Sequence, residues 1–232
     1  MKQLHDIQLK ILRDLLFSDA LRYADIKPTD MENSQFVFHL EKLIEAGYIE
    51  KADTLYKLTD SGKEYANRID TDIVKIAQQA KVTTILCAIR QTSAEKEYLV
   101  YKRLKNPFFN CMGFPTEKPK WGETMEEAAK RGLMEEANLA GEPKLFAIRH
   151  YLVYSKQTGE LVEDKLMHVF MFLNPTGDLV GNLEGDYQWV KEEDIDKVVQ
   201  PQLVEFAEIF KALNDFQDVV TFKELKVTTS SF

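Results

Sequence analysis

Two adjacent glutamates, Glu135 and Glu136, lie near the end of residues 121–141 (WGETMEEAAKRGLMEEANLAG), a segment with the pattern of a helix. Spacing of four residues places Gly132 and Glu136 on one stripe, among small and apolar side chains. An ionised carboxylate there would cost several kcal/mol if it had no partner. A cation should therefore neutralise Glu136, either Arg131 or a bound metal. Paired carboxylates suit Mg²⁺ or Mn²⁺, which prefer oxygen ligands.

The same segment carries signals for both ends of the helix. Thr124 followed by Glu127 is a capping-box pattern, and Gly122 permits a tight turn before it. Asn138 can adopt the left-handed conformation that ends a helix. A second stripe has alternating charges around Arg131, which predicts a solvated face whose ion pairs contribute a few tenths of a kcal/mol each.

Composition sets the class of the protein. The 232 residues are 44% hydrophobic and 29% charged, which predicts a soluble globular chain of one large or two small domains. We see neither an apolar run near the roughly 20 residues of a membrane helix nor a secretory signal. Cys87 and Cys111 form no metal-binding pattern, so we expect a reduced, cytoplasmic protein. The net charge of −8 argues against bulk electrostatic binding of nucleic acid but not against a local basic face.

Residues 1–70 predict a small helical domain with one hairpin. Three helices, the second of which ends at Pro28, precede two short strands around residues 52–54. A further helix then begins, with Asp60 or Ser61 as its cap.

The order of these elements, and the segments FHLEKLIEAGYIEK and YKLTDSGKEY, resemble the winged helix-turn-helix family. In that family the third helix enters the major groove and the wing contacts the DNA backbone. The resemblance implies a winged helix-turn-helix domain over residues 1–70, with double-stranded DNA as a partner. The residues implied to bind nucleic acid are Asn33, Ser34, Gln35 and His39 toward bases, and Lys51 and Lys57 toward phosphate.

Other readings of this domain stay open. Residues 1–70 hold 10 Lys/Arg against 13 Asp/Glu, whereas nucleic-acid-binding domains are usually basic. Winged helices also serve as dimerisation or protein-binding modules. His39 lies beside Phe38 and Leu40, which equally fits a histidine at the edge of the core.

The remainder of the chain predicts a second domain. Residues 71–80 are expected to form a helical connector, after which strand-like segments precede and follow the central helix. A long hairpin is expected around residues 156–164. A last amphipathic helix has Pro201 near its beginning, and the tail KVTTSSF is expected to be loose. The order of elements predicts an α+β fold over residues 81–232.

The central segment resembles the Nudix family, whose sequence box reads Gly-x5-Glu-x7-Arg-Glu-apolar-x-Glu-Glu-x-Gly-apolar. Upstream, GFPTEKPKWGE matches the family's GFPGG segment as far as Pro115, and YQWVKEEDI around Trp189 resembles its later strand-to-helix segment. The resemblance spans roughly residues 80–210 and implies a Nudix α/β/α sandwich. The residues in register with the box are Glu123, Arg131, Leu133, Glu135, Glu136 and Leu139.

This sequence departs from the box at a position that the family uses for its chemistry. The glutamate that usually follows the arginine is Gly132, which costs the helix about 1 kcal/mol relative to alanine. It also removes a carboxylate one turn from Glu136. The opening glycine of the box is Glu117, and its closing glycine is Asn138, which tolerates positive φ. The pattern fits one weakly held Mg²⁺ better than several metal ions.

The resemblance also implies a reaction. Nudix enzymes hydrolyse a diphosphate linked to a nucleoside or another group, with metal ions that neutralise charge and orient water. By this resemblance Glu135 and Glu136 would bind Mg²⁺ or Mn²⁺, Arg131 would orient them, and Glu123 would brace Arg131. Glu184, in the loop before Trp189, is the first candidate for a replacement base. Weaker candidates are Glu117, Glu163 and Asp164.

Two functional hypotheses follow. The first is a metal-dependent hydrolase of a nucleoside diphosphate-linked substrate, fused to a winged helix. The alternative is a catalytically impaired Nudix domain that senses a nucleotide-like metabolite for a homodimeric, DNA-binding transcriptional regulator. A third, a protein-interaction scaffold, has neither activity. Gly132 favours the sensor, whereas the retained box residues favour binding of metal and phosphate.

Overall fold

The computed structural model describes residues 4–92 and 95–231. Its internal contacts divide the chain into two compact units, Met1–Gln78 and Gln79–Phe232. Within the described part of the chain, none of the helices has the length and apolar character needed to cross a lipid bilayer. Cys87 and Cys111 are buried free thiols.

The first unit packs short helices against a small antiparallel sheet. Its elements are α1 (Asp6–Leu16), β1 (Leu21–Arg22), α2 (Tyr23–Ile26), α3 (Asn33–Glu45), β2 (Ile49–Ala52), β3 (Leu55–Leu58) and α4 (Asp60–Ala66). The strands lie in the order β1-β3-β2. The apolar faces of α1 and α3 meet in the core, where Leu12, Phe36 and Leu43 are fully buried. This burial is the main source of stability for such short elements.

Two local predictions in this unit are wrong. Thr59, rather than Asp60 or Ser61, caps α4, because its Oγ1 accepts a hydrogen bond from the Gly62 amide at 3.0 Å. The predicted connector over residues 71–80 is not helical: residues 71–76 belong to a β-hairpin, and residues 77–80 are irregular.

That hairpin is made of β4 (Ile69–Asp70) and β5 (Lys75–Ile76). Asp70 Oδ1 accepts hydrogen bonds from the amides of Asp72 (3.0 Å) and Ile73 (3.2 Å). This side-chain turn competes with the helix for the same backbone donors.

The second unit is a mixed sheet covered by helices. Its strands are β6 (Lys81–Gln91), β7 (Lys96–Arg103), β8 (Met112–Gly113), β9 (Thr116–Glu117), β10 (Pro143–Ser155), β11 (Leu161–Leu173), β12 (Gly185–Lys191) and β13 (Thr221–Thr229). Its helices are α5 (Met125–Ala137), a 3-10 turn (Glu192–Asp194), α6 (Ile195–Val198) and α7 (Phe206–Asn214). The main path of the sheet runs β12-β7-β6-β11-β10-β13, with β8 beside β7 and β9 beside β6.

The centre of this sheet is covered on both faces. Residues 83–89 of β6 are all buried, and consecutive strand residues point to opposite faces. α5 packs against β6, while Phe206 and Phe210 of α7 contact the rings of Phe114 and Tyr98. The predicted long hairpin is present as β10 and β11.

Two predictions near the end of the chain are wrong. Residues 226–229 of the predicted loose tail belong to β13, which pairs in parallel with β10, whereas Phe232 lies outside the described residues. The last helix begins at Phe206, five residues after Pro201, because the preceding segment is held extended. Met112 donates to the Pro201 carbonyl at 2.7 Å and accepts from the Leu203 amide at 2.7 Å.

Candidate active site

Local chemistry sets both ends of α5 as the sequence predicts. Thr124 and Glu127 form the capping box, with the Thr124 hydroxyl accepting from the Glu127 amide at 3.2 Å. Gly122 has a φ of +82° in the turn before the helix. Asn138 ends the helix in the left-handed conformation, with a φ of 56°. The carboxylates between these ends therefore have defined positions on the helix.

Arg131 is the centre of a charged network and not part of a solvated face. Its side chain is only 17% exposed. Nε and Nη2 donate to the two carboxylate oxygens of Glu123 at 2.7 and 2.8 Å, and Nη1 donates to Glu135 at 2.8 Å. Nη2 also donates to the Lys118 carbonyl at 2.9 Å. The guanidinium thus joins the loop before α5 to the middle of the helix.

These contacts shift the ionisation of the partners. The hydrogen bonds from Arg131, with a further one from the Lys120 amide, lower the pKa of Glu123 to about 2. Hydrogen bonding to Lys120 Nζ (3.2 Å), followed by that to Arg131, lowers the pKa of Glu135. Both side chains are therefore carboxylates at neutral pH.

The hydrogen-bond partners of Glu136 among the described residues are neutral, and the expected partner Arg131 is not one of them. Instead the Tyr187 hydroxyl, on β12, donates to Glu136 Oε2, and the Asn182 amide donates to the same oxygen at 3.0 Å. Burial, and then donation to this carboxylate, raise the pKa of Tyr187 well above its usual value. The sequence could not indicate this pair because its members lie 51 residues apart.

Gly132 is buried where α5 meets β9. A Cβ atom at this position would lie 2.6 Å from Cβ and 2.8 Å from Cγ of Glu117, and 3.2 Å from Leu86 Cδ1. A side chain at position 132 would therefore displace β9 or Glu117. The glycine has a packing reason that the sequence did not reveal.

A cavity of about 830 Å³ opens beside α5. Its wall combines carboxylates from several elements with basic and aromatic side chains. The acidic residues are Glu117, Glu135, Glu136, Glu163, Glu184 and Glu205. The basic residues are Lys81, Arg103, Lys105, Lys118 and Lys165, with Tyr101 and Phe108 as aromatic neighbours. The volume is in the range of small-molecule sites.

The cavity wall also contains a buried ionic cluster that was not predicted from the sequence. Lys165 Nζ lies 2.9 Å from Glu163 Oε2, 3.5 Å from Glu205 Oε2 and 5.3 Å from the centre of the Phe108 ring. Burial opposes the charge of Lys165, but the carboxylates of Glu205 and Glu163 outweigh it and raise the pKa of the amine. Glu163 and Lys165 are two residues apart on a strand, and this alternation could have indicated a shared face.

The remaining acidic candidates divide between the cavity and other surfaces. Glu184 lines the cavity and forms an ion pair with Lys105. Asp164 is not among the lining residues and hydrogen-bonds to His150 Nε2 at 2.8 Å.

The chemistry of the cavity carboxylates fits a divalent cation. Glu117, Glu135 and Glu136 all line the cavity, and carboxylate oxygens are the ligands that Mg²⁺ and Mn²⁺ prefer. As they stand, however, no three Asp, Glu, His or Cys side chains converge on one point in residues 4–92 and 95–231. Binding of a metal would require Glu135 to give up its bonds to Arg131 and Lys120, and Glu136 to give up its bond to Tyr187.

The predicted nucleic-acid-binding residues lie in the first unit. Asn33, Ser34 and Gln35 are exposed in the first turn of α3, and Lys51 and Lys57 are exposed on β2 and β3. His39 differs from the prediction for base contact: it is 7% exposed, and burial lowers its pKa. Its position fits a core-edge histidine.

Comparison with known proteins agrees with this geometry. The structure is similar to that of the mutator MutT protein from Bacillus halodurans (TM-score 0.53, 18% identity, covering 66% of this chain and 93% of that chain). It is also similar to the NUDIX domain of Shewanella oneidensis NrtR complexed with ADP ribose (TM-score 0.52, 13% identity, covering 68% and 98%). These likenesses concern the fold, and no curated protein matches the chain. The model of the NUDIX domain matches residues 81–213, more than half of the sequence, so the chain belongs to the Nudix family.

Proposed function

We propose that the second unit is a metal-dependent hydrolase of a nucleoside diphosphate-linked compound. The observation that carries the proposal is the cavity beside α5, whose wall holds Glu135 and Glu136 together with Arg103, Lys105 and Lys118. Basic side chains suit the oxygens of a diphosphate, and the carboxylates suit a cation that bridges to them.

Each side chain has a role in this proposal. Glu135 and Glu136 would hold Mg²⁺ or Mn²⁺, which when bound neutralises charge on the diphosphate. Arg131 positions Glu135 and is itself braced by Glu123. Tyr187 fixes the rotamer of Glu136 before a metal arrives.

Glu184 is our candidate for the base that orients the attacking water. It lines the cavity, and its ion pair with Lys105 would open when a substrate phosphate takes the lysine. The neighbour from Shewanella oneidensis is complexed with ADP ribose. That compound is a nucleoside diphosphate joined to a sugar, and it supports this class of ligand.

Release of phosphate-containing product from a panel of nucleoside diphosphate-linked compounds tests the proposal. The assay compares wild type with Glu136→Gln in Mg²⁺ and in Mn²⁺. Glu126→Gln is the matched control, because Glu126 is exposed on the first turn of the same helix and does not line the cavity. Turnover that Glu136→Gln abolishes and Glu126→Gln preserves supports the proposal. A wild type that turns over no compound of the panel overturns it.

A second candidate, a DNA-binding regulator with a sensing Nudix domain, is favoured by the first unit. The order of its helices, followed by the β2–β3 hairpin, resembles that of a winged helix and supports this candidate. The exposed start of α3 would meet bases, and Lys51 and Lys57 would meet phosphates. This candidate requires a homodimer that is retained on double-stranded DNA at low salt, with retention changed by ADP ribose. A monomer that shows no retention excludes it.

A further inference from the structure

A glycine of α5 and a glutamate of β9 interlock in the second unit. The space that a side chain at Gly132 would need is filled by the aliphatic stem of Glu117, at 2.6 Å from Cβ and 2.8 Å from Cγ. Contacts that short are not tolerated, so this position of Glu117 requires glycine at position 132. The two residues form one packing unit.

The backbone of Glu117 is held in place independently of this contact. β9 pairs with β6 so that Glu117 faces Thr84, and the Thr84 hydroxyl donates to the Glu117 carbonyl at 3.2 Å. The side chain of Glu117 therefore extends from a fixed position on the sheet and not from a free loop.

The carboxylate of Glu117 lies on the same guanidinium nitrogen as that of Glu135. Its Oε2 lies 3.4 Å from Arg131 Nη1, beside the bond from Arg131 to Glu135. The side chain is 18% exposed and lines the same cavity as Glu135 and Glu136. Strand β9 thus places a third carboxylate in the cavity wall that holds Glu135 and Glu136.

We infer that Glu117 supplies the carboxylate missing at Gly132 and binds the divalent cation together with Glu135 and Glu136. The opening glycine and the internal glutamate of the Nudix box have changed places in this chain. A carboxylate is therefore still present at this point of the cavity wall. It comes from strand β9 and not from helix α5. This inference rests on the proposed function.

A double-mutant cycle tests the exchange, with Mn²⁺ alone as the probe. Free Mn²⁺ is measured by electron paramagnetic resonance, and stability by the Tm. Glu117→Gln keeps the stem and removes the charge, so we expect an unchanged fold and Mn²⁺ affinity lower by on the order of tenfold or more. Glu126→Gln is expected to bind Mn²⁺ as wild type does.

The packing arm of the cycle is independent of the metal. Gly132→Glu alone meets the stem of Glu117 and lowers the Tm, whereas Glu117→Gly combined with Gly132→Glu recovers both the Tm and the Mn²⁺ affinity. Additive losses of Tm in the double variant overturn the interlock.

The outcomes also separate the inference from the proposed function. If Glu117→Gln binds Mn²⁺ as wild type does, while Glu136→Gln loses it, only the role of Glu117 is overturned. A wild type that binds no Mn²⁺ overturns both.

Discussion

Replacement of Arg149 by methionine tests how the second unit is held together. Arg149, on β10, is 1% exposed, and its Nε donates to Glu208 of α7 at 2.8 Å. Nη1 donates to the Thr221 carbonyl at 2.8 Å and Nη2 to the Thr221 hydroxyl at 3.1 Å. One side chain therefore joins a central strand, the last helix and the start of β13. Methionine keeps the stem and removes all of these bonds.

The expected loss of stability follows from the charge of Glu208, which Arg149→Met leaves without its main partner. Loss of one partner from a fully buried ion pair costs about 3–5 kcal/mol, because the other charge stays buried without compensation. The side chain of Glu208 is 21% exposed, so the lower end of this range applies. Lys223 Nζ lies 3.0 Å from the other oxygen of Glu208 and still offsets part of that cost. We therefore expect Arg149→Met to lower the free energy of unfolding of the second unit by about 3 kcal/mol. At 2–4 °C per kcal/mol for a domain of this size, the Tm of the second unit should fall by roughly 6–12 °C.

Thermal unfolding followed by near-ultraviolet circular dichroism measures this change. Lys223→Met is the matched control: it removes the exposed partner of the same Glu208 and should cost less than about 1 kcal/mol. The double variant Arg149→Met, Glu208→Met should be more stable than Arg149→Met, since no buried charge remains. Equal effects of Arg149→Met and Lys223→Met would refute the reasoning.

Further predictions concern pH and the helix ends. Protonated His150 donates hydrogen bonds from Nδ1 to Glu224 (3.0 Å) and from Nε2 to Asp164 (2.8 Å), and these raise its pKa. Their stabilisation is therefore full below the unfolded pKa of about 6.5 and is lost as pH rises through the folded pKa. The difference in Tm between wild type and His150→Gln should accordingly be larger at pH 6 than at pH 8.5, and a constant difference contradicts this. Asn138→Ala should cost about 1 kcal/mol more than Asn138→Gly in urea unfolding, because alanine resists the left-handed conformation. Thr59→Ala should destabilise the first unit by about 1 kcal/mol, whereas Thr59→Ser should not; equal losses would argue against the cap.

Local chemistry accounts for what the sequence predicted well. Thr124 and Glu127 cap α5, and Asn138 ends it, because each of these signals acts within one turn of the backbone. The strand-like segments on both sides of residues 156–164 likewise indicated the β10–β11 hairpin. The Nudix assignment rested on residues in fixed register within one segment, and the family match confirms it.

Long-range pairing accounts for what the sequence missed. Glu136 meets Tyr187 and not Arg131, because β12 and α5 become neighbours only in the folded sheet. Residues 226–229 belong to β13, since the edge of β10 offers them hydrogen-bond partners that the sequence does not display. Gly132 was read only as a lost carboxylate, because its contact with Glu117 depends on how β9 lies beside α5.

The nearly balanced charges of the cavity wall have a consequence for the order in which ligands bind. Among the described residues that line the cavity, six acids face five bases. A wall with a net charge near −1 gives little long-range attraction to an anionic diphosphate, whereas a divalent cation reverses the sign. Under the proposed hydrolase function, the cation should therefore enter first and raise the affinity of the diphosphate. By thermodynamic linkage the diphosphate must raise the affinity of the cation by the same factor. A site that holds Mn²⁺ weakly by itself can then be filled at low metal concentration whenever its organic ligand is abundant.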